Sequence, residues 1–194
     1  MNRIFLVVVM VLASMVCGCS SPKFTAPKYK IDPNDPNGPA AIHLNTANKI
    51  YVSPIIERLG DDNRKFIDPM FSTTAYLTDA LEQELIAAGV TPIRTPFAVG
   101  PGFNAAQQTI TSQTNKQENA VYLVGEVRWF GPSKLTLDAK LYSPSGTILF
   151  EKRGLCIMLN MAPNGQMDKS VTSQKITNMA LRQIIADPAF QKAI

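Results

Sequence analysis

The chain has 194 residues, a length that fits one domain better than two. It is 45% hydrophobic, 18% charged and 8% aromatic, a globular mixture that excludes a disordered or fibrous protein. Nineteen Lys and Arg against fifteen Asp and Glu leave a charge of +4, spread without any run of four basic residues, so no electrostatic stripe for nucleic acid is present. One His and three Cys exclude most multi-ligand zinc sites.

The chain opens MNRIFLVVVMVLASMVCGC. Arg3 gives a short positive start, and Ile4 to Val16 is an apolar run of signal-peptide length, too short to span a bilayer comfortably. The run ends in Val16-Cys17-Gly18-Cys19, which resembles the bacterial lipobox: an apolar residue, two small positions, then Cys. That resemblance implies cleavage after residue 18, with a diacylglycerol and an N-acyl chain carried by Cys19 as the lipid anchor. A plain secretory signal, or a buried apolar helix, is the alternative. Ser20, where Asp would favour inner-membrane retention, implies a periplasm-facing outer-membrane lipoprotein. Two acyl chains suffice for stable anchoring, at about 0.8 kcal/mol per buried methylene. Processing leaves Cys156 as the remaining thiol, in Leu155-Cys156-Ile157-Met158-Leu159, where a small buried hydrophobe is the expected role and a reactive thiol the alternative.

Residues 19–48 read as a tether. Pro22, Pro27, Pro33, Pro36 and Pro39 interrupt every regular element. Fully extended in the polyproline form, the stretch reaches at most roughly 90 Å, which would hold the folded part away from the lipid surface. The alternative is that part of it, around Ala40 to Leu44, packs on the domain. His43 lies here, and a mobile segment holds no general base in place.

The folded unit is expected over 49–194 as a single domain. Ile50 and Val52 alternate in a short strand ended by Pro54, and 55–70 reads as a loop. Ser72 or Thr73 caps a helix reaching about Ala88, striped by Leu77, Leu81 and Leu85, widened by Ala80, Ile86 and Ala88, and stopped by Gly89. Val90 to Arg94 reads as a strand, 96–103 as a Gly/Pro loop and 104–117 as a weak polar helix. In strand 120–130, Val121, Leu123, Val127 and Trp129 share one face, with Phe130 opposite. In strand 134–142 the apolar Leu135, Leu137, Ala139 and Leu141 alternate with Lys134, Thr136, Asp138 and Lys140, predicting one buried and one wet face. Ser143 to Gly146 turns the chain into strand 147–159, whose parity switch predicts a bulge near Gly154. A last helix over 169–186 carries Ile176, Ala180, Leu181, Ile184 and Ile185, and Asp187-Pro188 ends it. The expected class is α/β (α+β): a mainly antiparallel mixed sheet with helices packed on it, in the order βαβ(α)βββα.

Chemistry is sparse. A Ser–His–acid or Cys–His arrangement needs a positioned His, and the chain's one His is in the tether. Asp61-Asp62 reads as solvated turn charge, Asp32 to Asp35 lacks a calcium loop's Gly and Glu spacing, and Gly100-Pro101-Gly102 matches no phosphate loop. Glu82 and Glu84 fall on different helix faces. Glu126 and Glu151 could approach across the sheet as a glycosidase pair, but strand glutamates usually face solvent. No cofactor or metal is implied, and catalytic residues are none.

The lipobox, the Pro-rich stretch, Ile50-Tyr51-Val52-Ser53-Pro54, the Leu77/Leu81/Leu85 helix, Val121 to Val127 and the hairpin at Gly146 together resemble periplasmic lipoproteins with a TolB amino-terminal-like domain, the curli-secretion lipoprotein among them. The resemblance implies a non-enzymatic docking or assembly component of a cell-envelope machine serving secretion, polysaccharide export or wall synthesis. It implies envelope protein partners or a homo-oligomer, with the membrane reached through the lipid. The alternative is a glycan- or lipid-binding periplasmic module in which Tyr122, Phe130 or Tyr142 lines a groove; an enzyme with two close carboxylates is a third reading.

Overall fold

The computed structural model describes residues 23–31, 42–115, 118–159 and 169–194; the apolar run, Cys19 and Asp32 to Asp35 lie outside them. The alternation at Ile50 and Val52 buries both in strand β1 (Lys49–Val52). A two-residue strand β2 (Ile56–Glu57) and a single helical turn α1 (Asp61–Arg64) occupy the stretch expected to be loop. Helix α2 (Thr73–Ala87) begins as expected, with the Ser72 hydroxyl accepting the Ala75 N–H at 3.1 Å. At its end Gly89 takes φ +89°, its N–H donates to Ile86 O and the Val90 N–H donates to Leu85 O. This paired closure is the Schellman motif, and it needs a residue that tolerates the left-handed region. Leu77, Leu81 and Leu85 are buried as the stripe predicts; Ile86 is exposed.

Strand β3 is only Ile93–Arg94, shorter than expected, and both residues are exposed. Helix α3 spans Phe103–Gln113. The long strands follow: β4 (Ala120–Phe130), β5 (Lys134–Tyr142) and β6 (Ile148–Met158). Helix α4 (Lys169–Ile185) buries Ile176, Ala180, Leu181, Ile184 and Ile185. Asp187-Pro188 ends α4 and at once starts another helix, α5 (Pro188–Ala193), because the Asp187 carboxylate accepts the Ala189 N–H and proline suits a first helical position.

The sheet has six strands, in the order β3-β1-β4-β5-β6 with β2 also on β4. β1 runs parallel to β3 and β4, and β2 parallel to β4, while β4, β5 and β6 are antiparallel. This is the mixed α+β class expected. Helices α2, α4 and α5 cover one face over the main core. Helix α3 covers part of the other, over Ala120, Tyr122, Val124 and Tyr142. β5 is therefore not wet on its second face, contrary to its alternation: Asp138 and Lys140 are buried.

Two bulges re-aim side chains. The β4–β5 register slips between Val127 and Trp129. Asn63 of α1 pairs both ways with Phe130 at the end of that strand, donating Nδ2–H to its carbonyl and accepting its N–H at Oδ1, each at 2.8 Å. Phe130 is thereby turned into the main core and Trp129 outward, the reverse of the parity expectation. The second bulge is the expected one: Gly154 has φ +62°, and its N–H donates to Asp138 Oδ1 at 2.6 Å. Leu155 and Ile157 then point inward, so Cys156 is exposed rather than a core thiol.

The Pro-rich stretch does not begin as a free spacer. Phe24 makes a parallel bridge to Ile67, donating its N–H to Phe66 O at 2.6 Å and accepting the Asp68 N–H at 2.9 Å. Its ring, 9% exposed, lies 5.6 Å from Phe130 and 6.5 Å from Phe71. Tyr29, 2% exposed, donates its hydroxyl hydrogen to Glu84, and Leu44 N–H donates to Ala88 O. Prolines forbid a helix here, but they leave an extended chain free to lie along a groove. Replacing Phe24 with Ala should lower stability by about 3 kcal/mol in a denaturant melt, the ordinary cost of emptying a buried Phe site; an unchanged midpoint would mean that the segment is not part of the fold.

Burial also displaces tyrosines. Burial and then the Glu118 charge push Tyr122 up to about 12, and burial and then the Glu151 charge push Tyr142 up to about 12. An unfolded phenol ionises near ~10. The native state thus keeps protons that the unfolded state releases, so their stabilisation is whole below ~10 and is lost as pH climbs towards about 12. Ultraviolet phenolate titration should show all five phenols ionising late in the wild type, since Tyr29, Tyr51 and Tyr76 are displaced upward along with Tyr122 and Tyr142, and Tyr122→Phe/Tyr142→Phe should make the alkaline loss of stability shallower.

Candidate functional site

Among the described residues, the outer face of β4–β6 holds three of the five buried charged side chains, Glu126, Asp138 and Lys140. Register sets it out in rows. Tyr51, Tyr122 and Tyr142 form an aromatic row, with the Tyr51 and Tyr122 rings stacked at 5.0 Å and the Tyr142 hydroxyl donating to Phe103 O at 3.3 Å. Next come Val124, Lys140 and Glu151, then Ile56, Glu126 and Asp138. Trp129, Thr136 and Cys156 form a further row, followed by Lys134 and Met158. Helix α3 roofs the aromatic row and leaves the last two rows open.

Glu126 and Asp138 stand opposite each other on neighbouring strands, each 1% exposed. Two facing carboxylates repel, and burial alone would be costly. Arginines answer both. Arg128 Nη2 lies 2.6 Å from Asp138 Oδ2, Arg128 Nε 3.5 Å from Glu126 Oε1, and Arg58 Nη1 3.4 Å from the same oxygen. Glu126 Oε2 lies near Gly102, just before α3, with no hydrogen-bond donor among the described residues, so the arginines carry its compensation. Lys140 Nζ sits 3.1 Å from Glu151 and 4.9 Å above the Phe103 ring. Arg153's hydrogen bond, seconded by Lys140, holds the Glu151 carboxyl below its ordinary value. Arg58 and Arg128 thus answer Glu126 and Asp138, and Lys140 and Arg153 answer Glu151, with Arg58 reaching in from the end of β2. Such a surface can recognise a charged partner, and its carboxylates are already engaged with cations.

The residues singled out from sequence do not converge. Tyr122 and Tyr142 lie under α3, whereas Phe130 is in the main core on the opposite face, so they line no common groove. Glu126 is buried, not solvent-facing, and β5 separates it from the strand of Glu151. His43 is exposed on the segment before β1. Glu82 ion-pairs with Arg94 at 2.6 Å while Glu84, on another face, is buried with Tyr29, Asn178 and Arg182. Asp61 and Asp62 form the first turn of α1, and Gly102 precedes α3. Among the described residues, no group of three or more His, Cys, Asp or Glu could hold a metal ion.

Sequence reasoning missed a cleft of about 320 Å³ beside α1, lined by Glu57, Leu59, Arg64, Asp68, Pro69 and Phe71. That is the low end of the ~300–1,000 Å³ of ligand pockets. Its carboxylates are engaged: Glu57 pairs with Arg64 at 3.7 Å, and Asp68 Oδ1 accepts the Met70 N–H at 2.8 Å. Its walls come from a stretch without periodicity, so the sequence held no signal for it.

Among the described residues, no helix is long and apolar enough to cross a membrane. No protein-family model and no curated protein matches the chain. Among solved structures, the chain is similar to protein XCC0632 of Xanthomonas campestris, of the DUF330 family, with a TM-score of 0.50 at 10% identity, covering 86% of this chain and 95% of that one. The PelC dodecamer of Paraburkholderia phytofirmans gives 0.40 at 14% identity over 72% and 91%. A Helicobacter pylori protein described as a neuraminyllactose-binding hemagglutinin homolog gives 0.40 at 11% over 76% and 90%. The last two overlaps are too partial to support any argument. The first is a likeness of fold: a mixed sheet with helices, shared nearly end to end.

Proposed function

We propose that this chain is an exported lipoprotein, anchored through acyl chains on Cys19 and facing the periplasm from the outer membrane. Its domain acts without catalysis, as a docking component of a cell-envelope assembly. The observation that carries the reading is the thirteen-residue apolar run closing on Val16-Cys17-Gly18-Cys19. A structural fact supports the docking role. The outer face of the sheet presents Arg58, Arg128 and Arg153, exposed above the buried Glu126 and Asp138, beside Trp129, Lys134, Cys156 and Met158, a surface of mixed character suited to a protein partner. The glycan-groove alternative loses its lining, because Tyr122, Tyr142 and Phe130 are buried on two different faces.

The test is metabolic palmitate labelling with membrane fractionation, on wild type beside Cys19→Ser. The wild type should take label, begin at residue 19 and sediment with outer membranes, and Cys19→Ser should take none. An unlabelled wild type that still carries its first eighteen residues contradicts the anchor. Crosslinking before gentle extraction tests the docking role; recovery of free monomer alone contradicts it.

A further inference from the structure

Phe24 is a fixed point. Both of its backbone groups are paired with residues 66–68 at an isolated bridge, and its ring packs on Phe71 and Phe130, which Tyr76 also touches. Only residues 20–23 separate it from Cys19. At ~3.6 Å per residue, the Cys19 backbone cannot lie more than about 18 Å from that of Phe24. A lipid on Cys19 therefore brings the surface around Phe24 to the bilayer, where a free tether of thirty residues would not.

That surface is apolar where it counts. Phe66, whose carbonyl accepts the Phe24 N–H, is 61% exposed, and Met70, four residues on in the same loop, is 93% exposed. The bridge is parallel, so Lys23 leaves the domain on the side of Phe66. Lys23, Arg64 and Lys65 lie nearby, as do Asp61, Asp62 and Asp68. This mixture of charge does not by itself select a partner; the apolar pair and the short reach do. Ile148 and Leu149, also exposed, sit at the far end of the sheet, since Ile148 pairs with Tyr142 whereas Phe130 pairs with Leu135; exposed Met158, opposite Lys134, lies at the Phe130 end.

We infer that the loop over 65–70 is a membrane-contact site: Phe66 and Met70 enter the headgroup–acyl boundary, and the domain rests against the lipid surface. The inference rests on lipidation of Cys19. It replaces the spacing role expected of residues 20–48 with close apposition.

The test uses the full, lipidated chain in a Cys156→Ser background, reconstituted in phosphatidylethanolamine–phosphatidylglycerol vesicles. The chain carries an environment-sensitive fluorophore at Met70→Cys or, as the distal control, at Leu149→Cys. At a depth of ~5–10 Å, shallow doxyl-lipid should quench the Met70 probe by about twofold or more and leave the Leu149 probe unchanged. Phe66→Trp in a Trp129→Phe background, read with brominated lipid, gives the same answer should labelling disturb the loop. A chain that floats with the vesicles while both probes stay unquenched overturns the inference and leaves the anchor standing. So does a blue shift at Met70 without lipid quenching, which would mean a protein partner or second copy on the loop. Equal quenching at both positions also overturns it. A chain that neither takes palmitate nor floats removes the anchor, and the inference with it.

Discussion

The pinning of Phe24 is the constraint on which the rest of the account turns. Its hydrogen bonds to Phe66 and Asp68 add a short parallel bridge beside α1, and its ring completes an aromatic cluster with Phe71, Tyr76 and Phe130. Phe130 is available for that cluster only because Asn63 grips its backbone and the β4 bulge turns it inward. A single helical turn thus sets the rotation of a strand end, the strand end sets an aromatic core, and that core fixes where the amino-terminal chain leaves the domain.

A second contact secures the same segment from the other side. The Glu84 carboxylate, 1% exposed, accepts from Tyr29, Asn178 and Arg182, so it joins α2, α4 and the amino-terminal stretch at one point. A buried carboxylate is costly alone and tolerable when every lone pair is answered. Burial, with the Glu84 bond second, pushes the Tyr29 phenol up, so the donor keeps its hydrogen across the whole neutral range. Such a group adds little net stability against an apolar substitute, but it tolerates few alternative arrangements of the three elements.

Much of the fold was legible because it follows from local periodicity. The Leu77/Leu81/Leu85 stripe, the Ser72 cap, the Gly89 stop and the Gly154 bulge each announce themselves within a few residues. Asp187-Pro188 was read only as a stop, and the helix it starts, Pro188–Ala193, was missed although Asp-Pro suits a helix start as well. What was not legible depends on distant partners. Asp138 and Lys140 look solvent-facing until Arg128 and Glu151 arrive from neighbouring strands. Trp129 and Phe130 exchange faces through a bulge that Asn63, far away in sequence, holds in place. Cys156 follows from the Gly154 bulge once the shifted parity is carried one residue further. Phe24 and Tyr29 lie in a Pro-broken stretch with no period, so nothing in their spacing marks them as core. The charged face is therefore readable as composition but not as a site.

The molecule has two surfaces with different chemistry: a charge ladder on the outer face of the sheet, and an apolar loop at the point where the chain emerges. With Cys19 lipidated as proposed, the second would give the first its orientation, since a domain held at Phe24 would not turn freely at the end of a long spacer. Amide hydrogen exchange on the full chain tests this most directly, because it reports the Phe24 clamp itself. The Phe24 and Asp68 amides should be protected for as long as the secondary structure around α1 and the end of β4 persists. Exchange at the rate of an unstructured chain, with β4 and β5 still protected, would contradict the account.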